Sequence, residues 1–252
     1  MKIDFKNLLV FDIETAPISK EYNDLPEALQ IAWRYQAERN GTVIDNIEEH
    51  YFNGAGLQAE FSKIICISIG GFIFSDGQPT KMRVTSISGH NEKEILTKFA
   101  EILSTRNVFK HLLAGHNILQ FDIPFICKRM VINGIPLPQM LDIHGKKPWD
   151  LNYVLDSSQL WKFGSMNGAS LMALCAVFGI PTPKDDIAGK DVGRVFWNEE
   201  NGLERITTYC EKDVVASAKV LMTILQQEFE FSLEEKKNNL HSFGYLNFLL
   251  YL

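Results

Sequence analysis

The sequence predicts an α/β fold in which a mixed β-sheet is flanked by helices, and three observations point there. Leu8-Leu9-Val10-Phe11-Asp12-Ile13-Glu14-Thr15 opens with the apolar run of a buried strand. Two further strand patterns, at 63–74 and 81–88, are separated by the turn residues Ser75-Asp76-Gly77, so the chain begins with antiparallel pairing. Beyond them, helical patterns alternate with a short strand, which implies helices packed on a mixed sheet.

Taken in order, 25–39 reads as a helix with a mixed face of Leu25, Leu29, Ala32 and Trp33, ended by Asn40-Gly41. Residues 40–60 are polar and carry Gly54 and Gly56, the composition of a loop insertion. Asn91 with Glu94 three residues on makes a capping-box-like start, and Ile95, Phe99, Ile102 and Leu103 follow at helical spacing. A strand at 111–115 leads into Phe121-Asp122-Ile123-Pro124-Phe125, whose proline suits a first helical turn. That helix is expected to reach about Ile132 and to close at Asn133-Gly134, with Pro136, Pro138 and Pro148 marking loop after it. Ser170 caps a helix at 171–178, Gly179-Ile180-Pro181 stops it, and 184–189 is a charged loop. The longest helical pattern runs from Leu203 to about Phe231. After the solvated stretch 234–239, residues 241–252 are apolar and aromatic. At about 12 residues they are too short to span a membrane and are expected to pack on the domain or on another subunit.

No repeat, low-complexity tract or composition break marks a linker, so 1–252 is expected to be one domain. Its core motifs lie within 8–225, with the insertion at 40–60 and a C-terminal extension at 232–252. The apolar fraction of 46% and charged fraction of 22% are those of an ordinary globular protein. Residues 1–6 lack the apolar stretch of a secretory signal, and no apolar run approaches the ~20 residues of a membrane helix. The four cysteines form no CxxC pair, which speaks against a structural zinc site and fits reduced thiols. The expected compartment is the cytoplasm, with no membrane partner. A net charge of −6 argues against nucleic-acid binding by bulk electrostatics, but not against a nuclease whose cations neutralise its own acids.

Side chains alternate along a strand, so Leu8, Val10, Asp12 and Glu14 share one face and Leu9, Phe11 and Ile13 the other. Two carboxylates about 7 Å apart then end a buried face. They oppose folding unless something positive lies between them, and a divalent cation with hard oxygen ligands fits that need. The plain alternative is a strand end that frays into a solvated turn before Pro17. Asp213 falls on the apolar stripe of Ile206, Cys210, Ser217, Val220, Leu221 and Ile224, and Tyr209 projects beside it from the preceding turn. An inward carboxylate can also be explained by a buried hydrogen bond or ion pair, and Asp122 by a helix N-cap. Asn117 can be a loop residue, and Phe121 a core one.

In order along the chain stand Asp-x-Glu on a strand, Asn-x-x-x-Phe-Asp before a helix, and Tyr-x-x-x-Asp on a helix. This order resembles that of the DEDD 3′–5′ exonucleases. The chain is similar to the proofreading exonuclease domain of family B DNA polymerases, and most of all to a stand-alone bacterial group related to it. The matching stretches are Phe11-Asp12-Ile13-Glu14-Thr15, Gly115 to Pro124 (Gly-His-Asn-Ile-Leu-Gln-Phe-Asp-Ile-Pro), and Tyr209-Cys210-Glu211-Lys212-Asp213-Val214. The histidine branch of these enzymes places a His five residues before the last Asp, where this chain has Thr208; neither His116 nor His144 can replace it. Tyr209 matches the tyrosine branch.

The resemblance implies a ribonuclease H-like fold and metal-dependent hydrolysis that removes nucleotides from the 3′ end of a single strand. It implies two divalent cations, Mg²⁺ or Mn²⁺, held by Asp12, Glu14, Asp122 and Asp213, with Tyr209 orienting the attacking water. Asn117 and Phe121 would line the site against the terminal nucleotide. The polymerase likeness favours single-stranded DNA; an RNA-trimming enzyme of the same fold stays open, because recognition of a 2′-hydroxyl has no sequence signature here. An idle nucleic-acid-binding or scaffold domain is a further alternative, and a polymerase or repair partner is not identified by the sequence. Trp161, Lys162, Phe163 and Arg194 are candidates for gripping the strand, and each is also an ordinary surface or core residue.

Overall fold

A computed structural model describes residues 3–39, 46–181, 187–227 and 230–234. Along the chain lie β1 (Leu8–Pro17), α1 (Glu27–Arg39), α2 (Ile47–Gly54), β2 (Ser62–Ser75), β3 (Gln78–Ser88) and α3 (Glu92–Ser104). There follow β4 (Leu112–Gly115), α4 (Asp122–Ile132), β5 (Val154–Asp156), α5 (Ser157–Trp161) and α6 (Leu171–Phe178). α7 (Val192–Asn198), α8 (Gly202–Ile224) and β6 (Ser232–Leu233) complete it. The strands form one mixed sheet in the order β5-β4-β1-β2-β3-β6. β2 is antiparallel to both β1 and β3, whereas β4 is parallel to β1 and β5. The α/β class and the antiparallel start read from the sequence are what the structure has.

The alternation along β1 divides the interior. Leu9, Phe11 and Ile13 pack with Ile95, Leu96 and Phe99 of α3 and Ile123, Ile126 and Met130 of α4. Leu8 and Val10 pack with Val214, Ala218 and Leu221 of α8. The capping of α3 follows the sequence: the Asn91 side chain accepts the Glu94 N–H and donates to the Glu94 carboxylate. α8 can lie this close to the sheet because Gly70, opposite Val10 on β2, has no side chain. A Cβ there would stand 2.2 Å from Met82 Cε and 2.8 Å from Val214 Cγ1. Every ordinary side chain would lift the helix away.

Several expectations are corrected. Residues 46–57 are mostly helical, not loop: Asn46 accepts the Glu49 N–H at 3.2 Å to cap α2, and a 3₁₀ turn (Ala55–Leu57) follows. Tyr51 and Ala55 are buried there with Tyr22, Trp33 and Phe61, a small aromatic core that stabilises the insertion. The longest helix stops at Ile224, before the expected Phe231. Gln226 turns into the left-handed region at φ +52° and returns its N–H to Thr223 O, a helix-ending turn. Phe231 then packs edge-on against Phe72 at 5.1 Å. Asp122 is the first residue of α4, not its cap; Phe121 stands at the cap position. The sequence pattern does not announce β5, α5, α7 or β6. The helix end at Asn40-Gly41, the first half of the loop at 184–189 and the tail beyond Glu234 lie outside the described residues.

Candidate active site

β1 and β4 both run toward the same end of the sheet, and β4 pairs with β1 only as far as Val10 and Ala114. The Ile13 N–H therefore has no strand partner on that edge. The Asp122 carboxylate accepts it at 3.2 Å, which draws the head of α4 against the segment between Asp12 and Glu14. On the other side, α8 brings Tyr209, Cys210 and Asp213 to the face that carries the two β1 acids. Tyr209 is hydrogen-bonded to the Asp213 carboxylate, and the charges of Glu14 and Asp12 act on its hydroxyl. Cys210 donates its thiol to both the carbonyl oxygen and Oδ2 of Asp12, each at 3.4 Å.

The structure thus brings together Asp12, Glu14, Asp122, Tyr209 and Asp213 from three separate segments. Glu14, Asp122, Tyr209 and Asp213 are buried, while Asp12 is partly open, so solvent reaches the cluster over Asp12. The tightest set is Asp12, Glu14 and Cys210, whose ligand atoms all lie within 4.8 Å of one another. Asp122 and Asp213 stand outside that trio and act on it through charge. Burial, then Asp122, Asp213 and Glu14, hold the Asp12 carboxyl well above its ordinary value, with some relief from the Cys210 thiol. Burial and Asp213 raise Glu14 in the same direction. Asp122 is pushed up to about 7, chiefly by burial, against the lowering effect of backbone N–H bonds including that of Ile13. Burial, followed by Asp213, Glu14 and Asp12, moves the Tyr209 hydroxyl up, so it stays protonated and acts as a donor.

Buried acids that repel one another are unstable without a counter-charge, and hard oxygen donors at this spacing are suited to a divalent cation. This donor set fits a metal. The thiol of Cys210 is kept protonated by burial and by its bond with Cys66, which makes it a hydrogen-bond donor to Asp12 and a poor ligand.

Asn117 and Phe121 sit on the loop between β4 and α4. Asn117 is left-handed at φ +62°, a conformation Asn tolerates, and its carbonyl oxygen accepts the N–H groups of Gln120 and Phe121. Gly115 before it is required: a Cβ would meet Phe11 O at 2.7 Å and Ile118 Cγ2 at 2.4 Å. Phe121 is half-buried against Phe125.

The sequence reading missed what holds this loop. Asp156, buried at the end of β5, accepts the N–H groups of Asn117 and Leu119 at 2.9 and 3.0 Å and also those of Ser158 and Gln159. Its charge also reaches Asp122. The available signal was Asp156-Ser157-Ser158, an N-cap before a short helix. Among the strand-gripping candidates, Trp161, Lys162 and Phe163 lie at and just after the end of α5. Arg194 stands apart on α7, over the Phe52 ring.

Comparison with known proteins gives three findings. A family model described as "Predicted 3′-5′ exonuclease related to the exonuclease domain of PolB" matches residues 56–244. That span contains Asn117, Asp122, Tyr209 and Asp213 and begins after the strand with Asp12 and Glu14. The DNA polymerase delta catalytic subunit of Caenorhabditis elegans is 23% identical over 159 residues, 52% of this chain and 14% of that protein. The family B DNA polymerase of the archaeon Pyrobaculum calidifontis superposes with a TM-score of 0.51 at 16% identity, over 86% of this chain and 24% of the polymerase. The latter likeness is one of fold: the mixed sheet flanked by helices is the ribonuclease H-like exonuclease fold of those polymerases. The chain spans only a small part of either polymerase. Among the described residues, no helix is long and apolar enough to cross a membrane.

Proposed function

This chain belongs to the family of predicted 3′–5′ exonucleases related to the exonuclease domain of PolB, and we propose that it removes nucleotides from the 3′ end of single-stranded DNA by metal-dependent hydrolysis. The observation that carries this reading is the convergence of Asp12, Glu14, Asp122 and Asp213 at one end of the sheet, where three of them are held above their ordinary pKa. Glu92, by contrast, is a buried acid that faces a cation, Arg129, whereas the charges acting on Asp12 and Glu14 include several other acids.

In this reading the four carboxylates hold two divalent cations, Mg²⁺ or Mn²⁺. Such ions lower the pKa of water and stabilise charge on the attacked phosphate and the leaving 3′-oxygen. Water adds to phosphorus as the P–O3′ bond breaks, giving a 5′-mononucleotide and a strand shorter by one. Tyr209, held protonated beside Asp213, orients the attacking water with its hydroxyl oxygen. Asn117 and Phe121, fixed by the Asp156-bound loop, face the terminal nucleotide. The delta subunit's name speaks of DNA, which supports a DNA substrate.

The test is a time course on single-stranded DNA and RNA of equal sequence, labelled at the 3′ or the 5′ end, with Mg²⁺, Mn²⁺ or chelator. Immediate release of the 3′ label as a mononucleotide from DNA, only with metal, is the expected result. Faster trimming of RNA would change the substrate, and no hydrolysis of either strand would leave an idle binding domain.

A further inference from the structure

The segment between α5 and α6 carries an aromatic residue that the interior does not use. Phe163 is 82% exposed and sits in the left-handed region at φ +46°, followed by Gly164 at φ +85°. A bulky side chain adopts that backbone only at an energetic cost, and such outliers gather at functional sites. Met166, three residues on, is 94% exposed. Phe163 stands at the outer end of an aromatic ladder. Its ring meets Trp161 edge-on at 6.3 Å, and Trp161 meets Phe178 at 5.5 Å. Trp161 and Phe178 pack against the buried cluster that includes Ala216 and Val220 of α8, one turn and more beyond Asp213.

The same segment is fastened to the loop that presents Asn117. His116 shares a 2.9 Å hydrogen bond with Ser157 Oγ and bonds the backbone of Ala169. Gly168 packs so closely that a Cβ would stand 3.0 Å from Ser158 Oγ. Phe163 is therefore an exposed ring, anchored on Trp161, in a segment fastened to the loop that carries Asn117, with Lys162 next to it in the chain.

We propose that Phe163, with Met166 and Lys162, is a stacking platform for single-stranded nucleic acid, on which the bases behind the 3′-terminal nucleotide rest. Bases stack on an aromatic face whatever their sequence, and the lysine ammonium complements the strand's phosphates. This inference rests on the proposed exonuclease reading, since it takes the strand to enter at Asp12 and Asn117. The platform makes the enzyme depend on several nucleotides of single strand, not on the terminal one alone.

The test uses the full chain and an oligodeoxynucleotide of about a dozen residues carrying 2-aminopurine near its 3′ end, with binding read in chelator so that nothing is cleaved. Phe163→Ala is expected to weaken binding roughly tenfold and to abolish the quenching of 2-aminopurine, and Phe163→Tyr to restore both. Phe163→Gly is expected to weaken binding equally while melting higher than the wild type, because glycine accepts the backbone angle. Phe109→Ala serves as the control: Phe109 is as exposed but precedes β4, at the end of the sheet away from the acids. Unchanged binding by Phe163→Ala, or by Phe163→Gly, would overturn the platform. If the wild type digests the strand and Phe163→Ala does so with the same KM, the platform alone fails. If the wild type digests nothing, the exonuclease reading fails with it.

Discussion

The Asp122 carboxylate accepts the Ile13 N–H at 3.2 Å, so the acid that opens α4 is tied to the peptide lying between Asp12 and Glu14. One side chain thus completes the edge of β1 where β4 has ended and adds charge to the cluster. The two roles separate by substitution. Asp122→Asn keeps an acceptor for Ile13 and is expected to lose hydrolysis at least 100-fold with no loss of melting temperature. Asp122→Ala leaves a buried N–H bare and is expected to lose roughly 1–3 kcal/mol of stability as well. Equal stability of the two variants in chemical denaturation would refute the division.

The raised carboxyl of Asp122 gives stability a particular pH dependence. A group whose folded pKa, about 7, exceeds its unfolded value stabilises the protein fully below the ordinary carboxylate range. That contribution is lost as the pH rises through about 7. In chelator, the melting temperature of Asp122→Asn relative to wild type should therefore climb from acid pH up to neutrality and then level off. Mg²⁺ or Mn²⁺ should reduce the gap, and a difference independent of pH would contradict the electrostatic account.

Asp12 and Asp213 are predicted to bind the cations, so Asp12→Asn or Asp213→Asn should abolish metal-dependent hydrolysis. Divalent ions at a hundred times their dissociation constant should stabilise the wild type by about 2.7 kcal/mol and either variant far less. For Asp12, whose burial and acidic neighbours raise its pKa, the metal-free Asn variant should melt above the metal-free wild type. Full activity of either variant in Mg²⁺ would exclude the assignment.

Tyr209 is predicted to act as a donor. Tyr209→Phe should lower kcat by about 10- to 100-fold, the size of one hydrogen bond in a charged setting, and leave measurable turnover. Because burial and three acids hold the hydroxyl protonated, the pH profile should keep its shape. Loss of a basic limb from that profile in the Phe variant would mean that Tyr209 works as a base.

Asp156 is not one of the four clustered acids, yet it accepts the N–H groups of Asn117 and Leu119 in the turn and those of Ser158 and Gln159 at the head of α5. Asp156→Ala is expected to cost roughly 2–5 kcal/mol and to reduce kcat/KM through a displaced Asn117. Asp156→Asn, which keeps acceptor oxygen, should recover most of the stability. Crystal structures of both variants would show whether the turn has moved.

The sequence made the centre of the fold legible because β1 and α8 each bury one regular face. Alternation put Asp12 and Glu14 on the side of Leu8 and Val10, and helical spacing put Asp213 on the stripe of Ile206 and Cys210. The structure has both faces where periodicity placed them. What was hidden depends on partners far away in the chain. β5 is three residues long and shows no period; it exists because Leu113 to Gly115 pair with it. Asp156 was invisible with it. The helix at 47–54 was masked by a polar composition, although Asn46 and Glu49 carried a cap signal, because its apolar residues face a private core with Trp33. The placement of Cys210 against Asp12 required the crossing of α8 over β1, which no local pattern encodes.

Gly70 carries no charge and touches none of the acids, yet it sets how near α8 lies to the sheet. The breadth of the opening between Asp213 on one wall and Asp12 and Glu14 on the other is thus gauged by a missing methyl group at a distance. Enlarging that residue would act as a shim, prying the walls apart while leaving each ligand chemically intact. A larger residue at position 70 is therefore expected to alter divalent-cation binding with every acid still in place.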